Sequence, residues 1–167
     1  MPLRRRQGEP AKGFTLIEVL VVVVILAITG AVVVPLMMGT GDVEAISAAR
    51  VISADLQYAQ NVAITKQDIV TVAFDTGAES YDLSSNASGT LKHPMTNLDY
   101  VVNFSSQESL GRVDVVSADF AGSASVAFDE LGSPDSGGSV TVQVGPHVYR
   151  VDVAPVTGAV TVTPVGS

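Results

Sequence analysis

From Leu16 to Met38 the chain reads LIEVLVVVVILAITGAVVVPLMM, 23 residues with a single charge, at Glu18. A helix that is apolar on every side has no face to offer to water and must be enclosed by lipid or by other helices. Such a helix would be about 35 Å long, enough to cross a hydrocarbon core of about 30 Å. A membrane span is the first expectation, and the rest of the chain has to be arranged around it.

The polar residues at its start are specific. Arg4, Arg5, Arg6 and Lys12 form a basic leader that stops at Gly13; Phe14 opens the apolar run, and Glu18 follows four residues on. A carboxylate in a membrane helix costs about 2.5–3.5 kcal/mol on insertion scales, so it calls for a cationic partner. Cutting between Gly13 and Phe14 would create one, because the new α-amino group, with a pKa of about 8, would begin the helix about one turn from Glu18. In a bundle of identical helices, Glu18 of one subunit would then face the Phe14 amine of the next.

Gly13-Phe14-Thr15-Leu16-Ile17-Glu18, with Lys12 before it and a Val/Ile/Leu run after it, resembles the class III signal of type IV pilins and pseudopilins. The resemblance implies that a prepilin peptidase cuts after Gly13 and methylates Phe14, that Glu18 aligns subunits during assembly, and that Pro35 marks a break in the first helix. A signal anchor or a Sec signal peptide is the plain alternative. The latter needs a small-residue cleavage site after its apolar core, and Ala27-Ile28-Thr29 is a poor one.

Charge divides along the chain. The first thirteen residues hold four of the nine basic residues and one acid, Glu9; five basic and sixteen acidic residues remain beyond Gly13, a net of −11. The leader is expected to stay in the cytoplasm and the acidic remainder to be exported. Arg50, Lys66, Lys92, Arg112 and Arg150 are scattered singly, which argues against a nucleic-acid surface. The chain has no cysteine, so disulfides and cysteine-based chemistry are excluded. Some pilins carry a C-terminal disulfide loop, and its absence counts against a major adhesive pilin.

The remainder divides into segments. Residues 1–13 are the leader, removed on processing; residues 14–38 are the apolar helix, with Pro35 expected to kink it and Gly39, Thr40 and Gly41 to extend the weak point. Residues 39–66 read as an amphipathic helix, begun by Asp42 and Glu44 as cap and first-turn acids. Its apolar stripe is Ala45, Ala49, Ile52, Leu56, Ala59 and Ala63, with Asp55, Gln57, Gln60 and Asn61 off it. Val43, Ile46 and Val51 lie on other faces and are candidates for contact with neighbouring subunits.

Beyond Lys66 the period changes to two. Ile69–Phe74, Ser80–Leu83, Tyr100–Phe104, Arg112–Val116, Ser125–Phe128, Val140–Val144, Val148–Val153 and Ala159–Thr163 are short, β-branched runs bounded by turn residues, giving seven or eight strands. Ser84–Thr90, Ser105–Gly111 and Ser133–Gly138 read as loops. The expected fold class is α+β: a long N-terminal hydrophobic helix, kinked near Pro35, packed on an antiparallel β-sandwich or two-sheet domain of residues 67–167.

A second resemblance lies in the last third. Val126-Ala127-Phe128-Asp129-Glu130-Leu131-Gly132-Ser133-Pro134, then Gly138 to Val142 and Pro155 to Val160, are similar to the closing region of GspH/FimT-type minor pseudopilins. Apart from any family, Phe128 ends a buried strand, and Gly132 and Gly158 suit turns that need positive φ.

Other chemistry finds little support. His93 and His147 each adjoin a proline, read as loop residues, and have no second ligand at metal spacing. Asp129, Glu130 and Asp135, with Ser133 and Ser136, could offer oxygens to calcium, but they lack EF-hand spacing and read by default as a solvated acidic turn. No phosphate loop or nucleophile elbow is present, so neither an enzyme nor a cofactor is expected.

The sequence thus reads as a minor pseudopilin of a type II secretion pseudopilus, in the inner membrane with its N-terminus cytoplasmic, then drawn into a filament. Its implied partners are other pilins, the prepilin peptidase, the inner-membrane assembly platform and, before assembly, membrane lipid. Two alternatives stay open: a minor pilin of a type IV pilus serving adhesion, motility or DNA uptake, and a signal-anchored periplasmic binding module that never polymerises.

Overall fold

A computed structural model describes residues 15–38 and 40–166, and side chains other than those of residues 30–39. The chain divides into two units, residues 1–39 and 40–167. In the first, helix α1 runs Leu16–Met38. Thr15 caps it: both its hydroxyl, at 3.3 Å, and its carbonyl, at 3.1 Å, accept the Glu18 N–H. From Leu16 to Ile28 its large apolar side chains are exposed around the whole circumference. The Thr29 hydroxyl donates to the Ile25 carbonyl at 2.8 Å and so asks for no outside partner. Among the described residues no helix is long and apolar enough to cross a membrane. The run expected to span continues beyond the described side chains, where the Pro35 ring and Gly39 lie.

The second unit opens with α2, Thr40–Lys66. The stripe Ala45, Ala49, Ile52, Leu56, Ala59 and Ala63 is fully buried, and Ala48 and Val62 widen it. Among the described residues nine antiparallel strands follow: β1 Val70–Asp75, β2 Ser80–Ser85, β3 Gly89–Thr90, β4 Val101–Asn103, β5 Asp114–Asp119, β6 Ser125–Phe128, β7 Gly138–Val144, β8 His147–Val153 and β9 Val160–Pro164. They make two sheets, one ordered β3-β2-β1-β6 with β4 also on β2, the other β5-β7-β8-β9. Helix α2 lies against β7, β8 and β9 and reaches β1 and β6. Ile52 and Leu56 therefore share one core with Val70, Val72, Phe128, Val140 and Val151 from both sheets.

Three details depart from the periodicity. The loop Ser84–Thr90 contains β3, where Gly89 pairs with Ser85 and Thr90 with Ser84. Phe104 leaves its strand for a 3-10 turn, Phe104–Ser106, because the Asn103 side chain accepts the Ser106 N–H at 3.1 Å. The run begun at Arg112 becomes a strand only at Asp114 and continues to Asp119, with a bulge between Val115 and Ser117.

Candidate assembly site

Of the residues singled out for processing and assembly, Gly13 and Phe14 lie outside the described residues. Glu18 lies within them, in the first turn of α1, with its amide tied to Thr15. The neighbouring side chains Leu16, Ile17, Val19, Val22 and Val23 are all apolar and exposed. A carboxylate so placed gains little from its own helix beyond the favourable N-terminal dipole. Among the described residues no ion pair reaches it.

Where the chain leaves this segment, two carboxylates fasten the start of α2 to both sides of the second unit. Glu44, 9% exposed, accepts the Arg112 backbone N–H at 3.0 Å and the Arg112 guanidinium at 2.9 and 2.6 Å. The same guanidinium donates to the Thr40 hydroxyl at 3.2 Å. Asp42 accepts the Tyr149 hydroxyl at 2.8 Å and stands 3.6 Å from His147 Nδ1. That hydrogen bond holds the Tyr149 phenol above its ordinary pKa. Both acids still suit the helix dipole, but their reach to β8 and to the Arg112 turn was not legible from local spacing. Glu44 directly precedes Ala45 of the buried stripe, which was the available signal.

At the other end of α2, Gln60 donates to the carbonyls of Gly132 at 2.7 Å and Thr157 at 2.9 Å, and Gln67 donates to that of Glu130 at 3.0 Å. The Ser133 hydroxyl donates to the Val156 carbonyl at 2.9 Å. Gly132 and Gly158, expected at positive φ, have φ of 79° and 66°. Midway along α2, Asp55 accepts hydroxyls from Tyr81 at 2.6 Å and Tyr100 at 2.9 Å. Burial raises the Asp55 carboxyl above its ordinary value, although both hydrogen bonds pull it down. Burial and the adjacent carboxylate push both phenols up.

The candidates set aside take ordinary places. His93 packs on the Tyr100 ring with centroids 4.8 Å apart, and His147 opens β8 rather than lying in a loop, beside Asp42. Asp129 accepts the amides of Leu131 and Ser133, and Asp135 accepts that of Ala127, so both close turns. Among the described residues no cluster of three metal-ligating side chains occurs. Of the residues proposed for subunit contact, Val43 is exposed, while Ile46 and Val51 are half-buried.

Comparison with known proteins bears on the same segments. The prokaryotic N-terminal methylation motif matches residues 10–34, and the model of the type II transport protein GspH matches residues 48–158. No curated protein matches the sequence. Among solved structures, the minor pseudopilin EpsH from the type II secretion system of Vibrio cholerae is similar at 13% identity and a TM-score of 0.55, over 75% of this chain and 98% of that one. A second EpsH structure gives 12% identity and a TM-score of 0.54, over 72% and 97%. The type IV minor pilin FimU of Pseudomonas aeruginosa gives 18% identity and a TM-score of 0.52, over 72% and 89%. At these identities the likeness is one of fold.

Proposed function

The chain belongs to the family of the type II transport protein GspH and carries the prokaryotic N-terminal methylation motif ahead of that domain, and from this premise we propose that it is a minor pseudopilin of a type II secretion pseudopilus. The observation that carries the proposal is the order of the two matches on one chain: an N-terminal methylation motif, then a domain of GspH type. A prepilin peptidase cuts after Gly13 and methylates Phe14. The helix leaves the inner membrane for the filament core, Glu18 pairs with a neighbouring Phe14 amine, and the β domain forms the outer surface. No catalytic or cofactor role enters this mechanism.

The intact mass of the protein from its native membrane, with and without active prepilin peptidase, tests the processing step. The expected mass is that of a chain beginning at Phe14 plus one methyl group, and a full-length mass in both conditions would overturn the proposal. Glu18→Ala tests assembly separately: filament incorporation is lost while the β domain stays folded. Unchanged incorporation would refute the assembly role of Glu18, and a native chain that never enters a filament would leave the reading of a non-polymerising anchored module.

The similarity to FimU supports a second reading, a type IV minor pilin. Deletion distinguishes them. Loss of secretion with intact pili favours the pseudopilus, and loss of pili with intact secretion favours the pilus.

A further inference from the structure

A sheet edge exposes unpaired amides and carbonyls, and proteins usually blunt it. Three of the four edges here are blunted. Beside β6, the Ala127 carbonyl accepts the Asp135 N–H at 2.8 Å, and the Asp135 carboxylate accepts the Ala127 N–H at 3.1 Å. The β5 edge is interrupted by its bulge, and the Glu79 carboxylate takes the Val115 N–H. Strands β3 and β4, which share one side of β2, are two and three residues long.

Strand β9 differs. Its register is fixed at both ends: the Ala154 N–H donates to the Ala159 carbonyl and the Val165 N–H to the Val148 carbonyl, each at 2.9 Å. Between them Thr161 stands opposite Asp152 and Thr163 opposite Arg150. Hydrogen-bonded positions alternate along an antiparallel ladder, so Thr161 and Thr163 turn their backbone groups to β8, while Val160 and Val162 turn theirs outward. Among the described residues these outward groups meet no partner. The strand carries no charge to deter pairing, and Pro164 alone shortens the usable edge.

The solvent face beside this edge is hollow. Gly138, Ser139, Asp152, Pro155 and Thr161 are among the residues lining a concavity of about 630 Å³. Ser139, Asp152 and Thr161 are successive partners across β7, β8 and β9. The two glycines on its wall are tightly approached: a Cβ on Gly137 would lie 2.8 Å from Pro155 Cδ, and one on Gly138 would lie 2.2 Å from the Asp119 carbonyl. Asp152 is the acid in the hollow, joined to Arg150 at 2.9 Å.

We propose that the free edge of β9 receives an extended, lysine- or arginine-bearing strand of a different protein. The strand pairs with the outward groups of Val160 and Val162 and lays one basic side chain over Thr161 toward Asp152. Main-chain bonds supply affinity and the hollow supplies selectivity, as in other cases of strand addition. Charge decides the occupant. Beyond Gly13 the chain has a net charge of −11, and Lys92, Arg112 and Arg150 are already paired within it. A second copy would bring the same acidic surface and no basic residue on its own β9. The contact does not depend on whether the filament serves secretion or a pilus.

Amide hydrogen exchange on the full-length chain in detergent tests this, with a capped hexapeptide of alternating valine and lysine as probe. Without peptide, Val160 and Val162 should exchange fast, while Thr161 and Thr163 should be protected. The lysine peptide should slow Val160 and Val162 by about tenfold or more, and a valine–glutamate peptide should not. Val162→Pro removes an outward donor without touching the β8 ladder and should abolish the effect, with Thr161 and Thr163 protection reporting an intact fold. Asp152→Asn, a milder change, should narrow the preference for lysine over glutamate. No protection by the lysine peptide, or equal protection by both peptides, would overturn the proposal. So would protection that appears without peptide and rises with protein concentration, which would identify a second copy as the occupant.

Discussion

At the scale of the residue, Asp55 shows two effects in competition. Two tyrosine hydroxyls stabilise its charge, yet burial wins and its carboxyl is raised. A raised folded value means that the carboxylate costs stability: the contribution is complete below the unfolded value, about 3.9, and is lost as pH rises through the folded one. Asp68 has the opposite sign. The Ser85 hydroxyl and the Ala87 amide lower it, so its contribution is present above the ordinary carboxylate range and lost as pH falls through the folded value. The comparison to make is denaturant unfolding of the protein and of Asp55→Asn between about pH 3.5 and about pH 7. The stability of the native chain relative to the variant should decrease across that rise; an increase would mean that the hydroxyls outweigh burial. Sequence placed Asp55 correctly off the apolar stripe but could not show Tyr81 and Tyr100 converging on it, since 26 and 45 residues separate them from it.

At the scale of the element, α2 is held at each end by long-range polar contacts that its own periodicity does not announce. The period of 3 and 4 identified its buried face, and the period of two identified most strands, because burial on one face is a local pattern. Strand β3 and the turn at Phe104 escaped, since β3 is only two residues long and the turn is set by the Asn103 side chain. The turn between β8 and β9 combines both kinds of information. Gly158 was legible as a turn glycine, whereas the reach of Gln60 to its neighbours was not. A Cβ at Gly158 would lie 2.5 Å from Gln60 Nε2 and 3.2 Å from the Gly132 carbonyl, at a φ of 66°. Gly158→Ala should therefore cost about 2–4 kcal/mol, left-handed strain adding to the displaced Gln60 bonds. Equilibrium unfolding measures it, and a change below about 0.5 kcal/mol would show that the turn relaxes freely.

At the scale of the molecule, the two ends of the chain solve different problems. A lone charge in an apolar run, as at Glu18, stands out without any fold; a free edge such as that of β9 does not, because it is defined by what fails to pair with it. All the buried apolar residues among those described fall between Ala45 and Val153, while α1 presents apolar side chains without a core of its own. Folding of the second unit therefore should not require the first. A fragment beginning at Thr40 is expected to show one cooperative thermal transition and protected amides in β7 and β8. Leu56→Ala should lower that single transition by about 10 °C or more, since deleting a fully buried leucine costs about 2–5 kcal/mol. Helix α2 touches both sheets, so the loss should be felt by probes in each at the same temperature. Separate transitions for the two sheets would mean that α2 does not unite them. A fragment without any transition would mean that folding of the second unit requires the apolar helix.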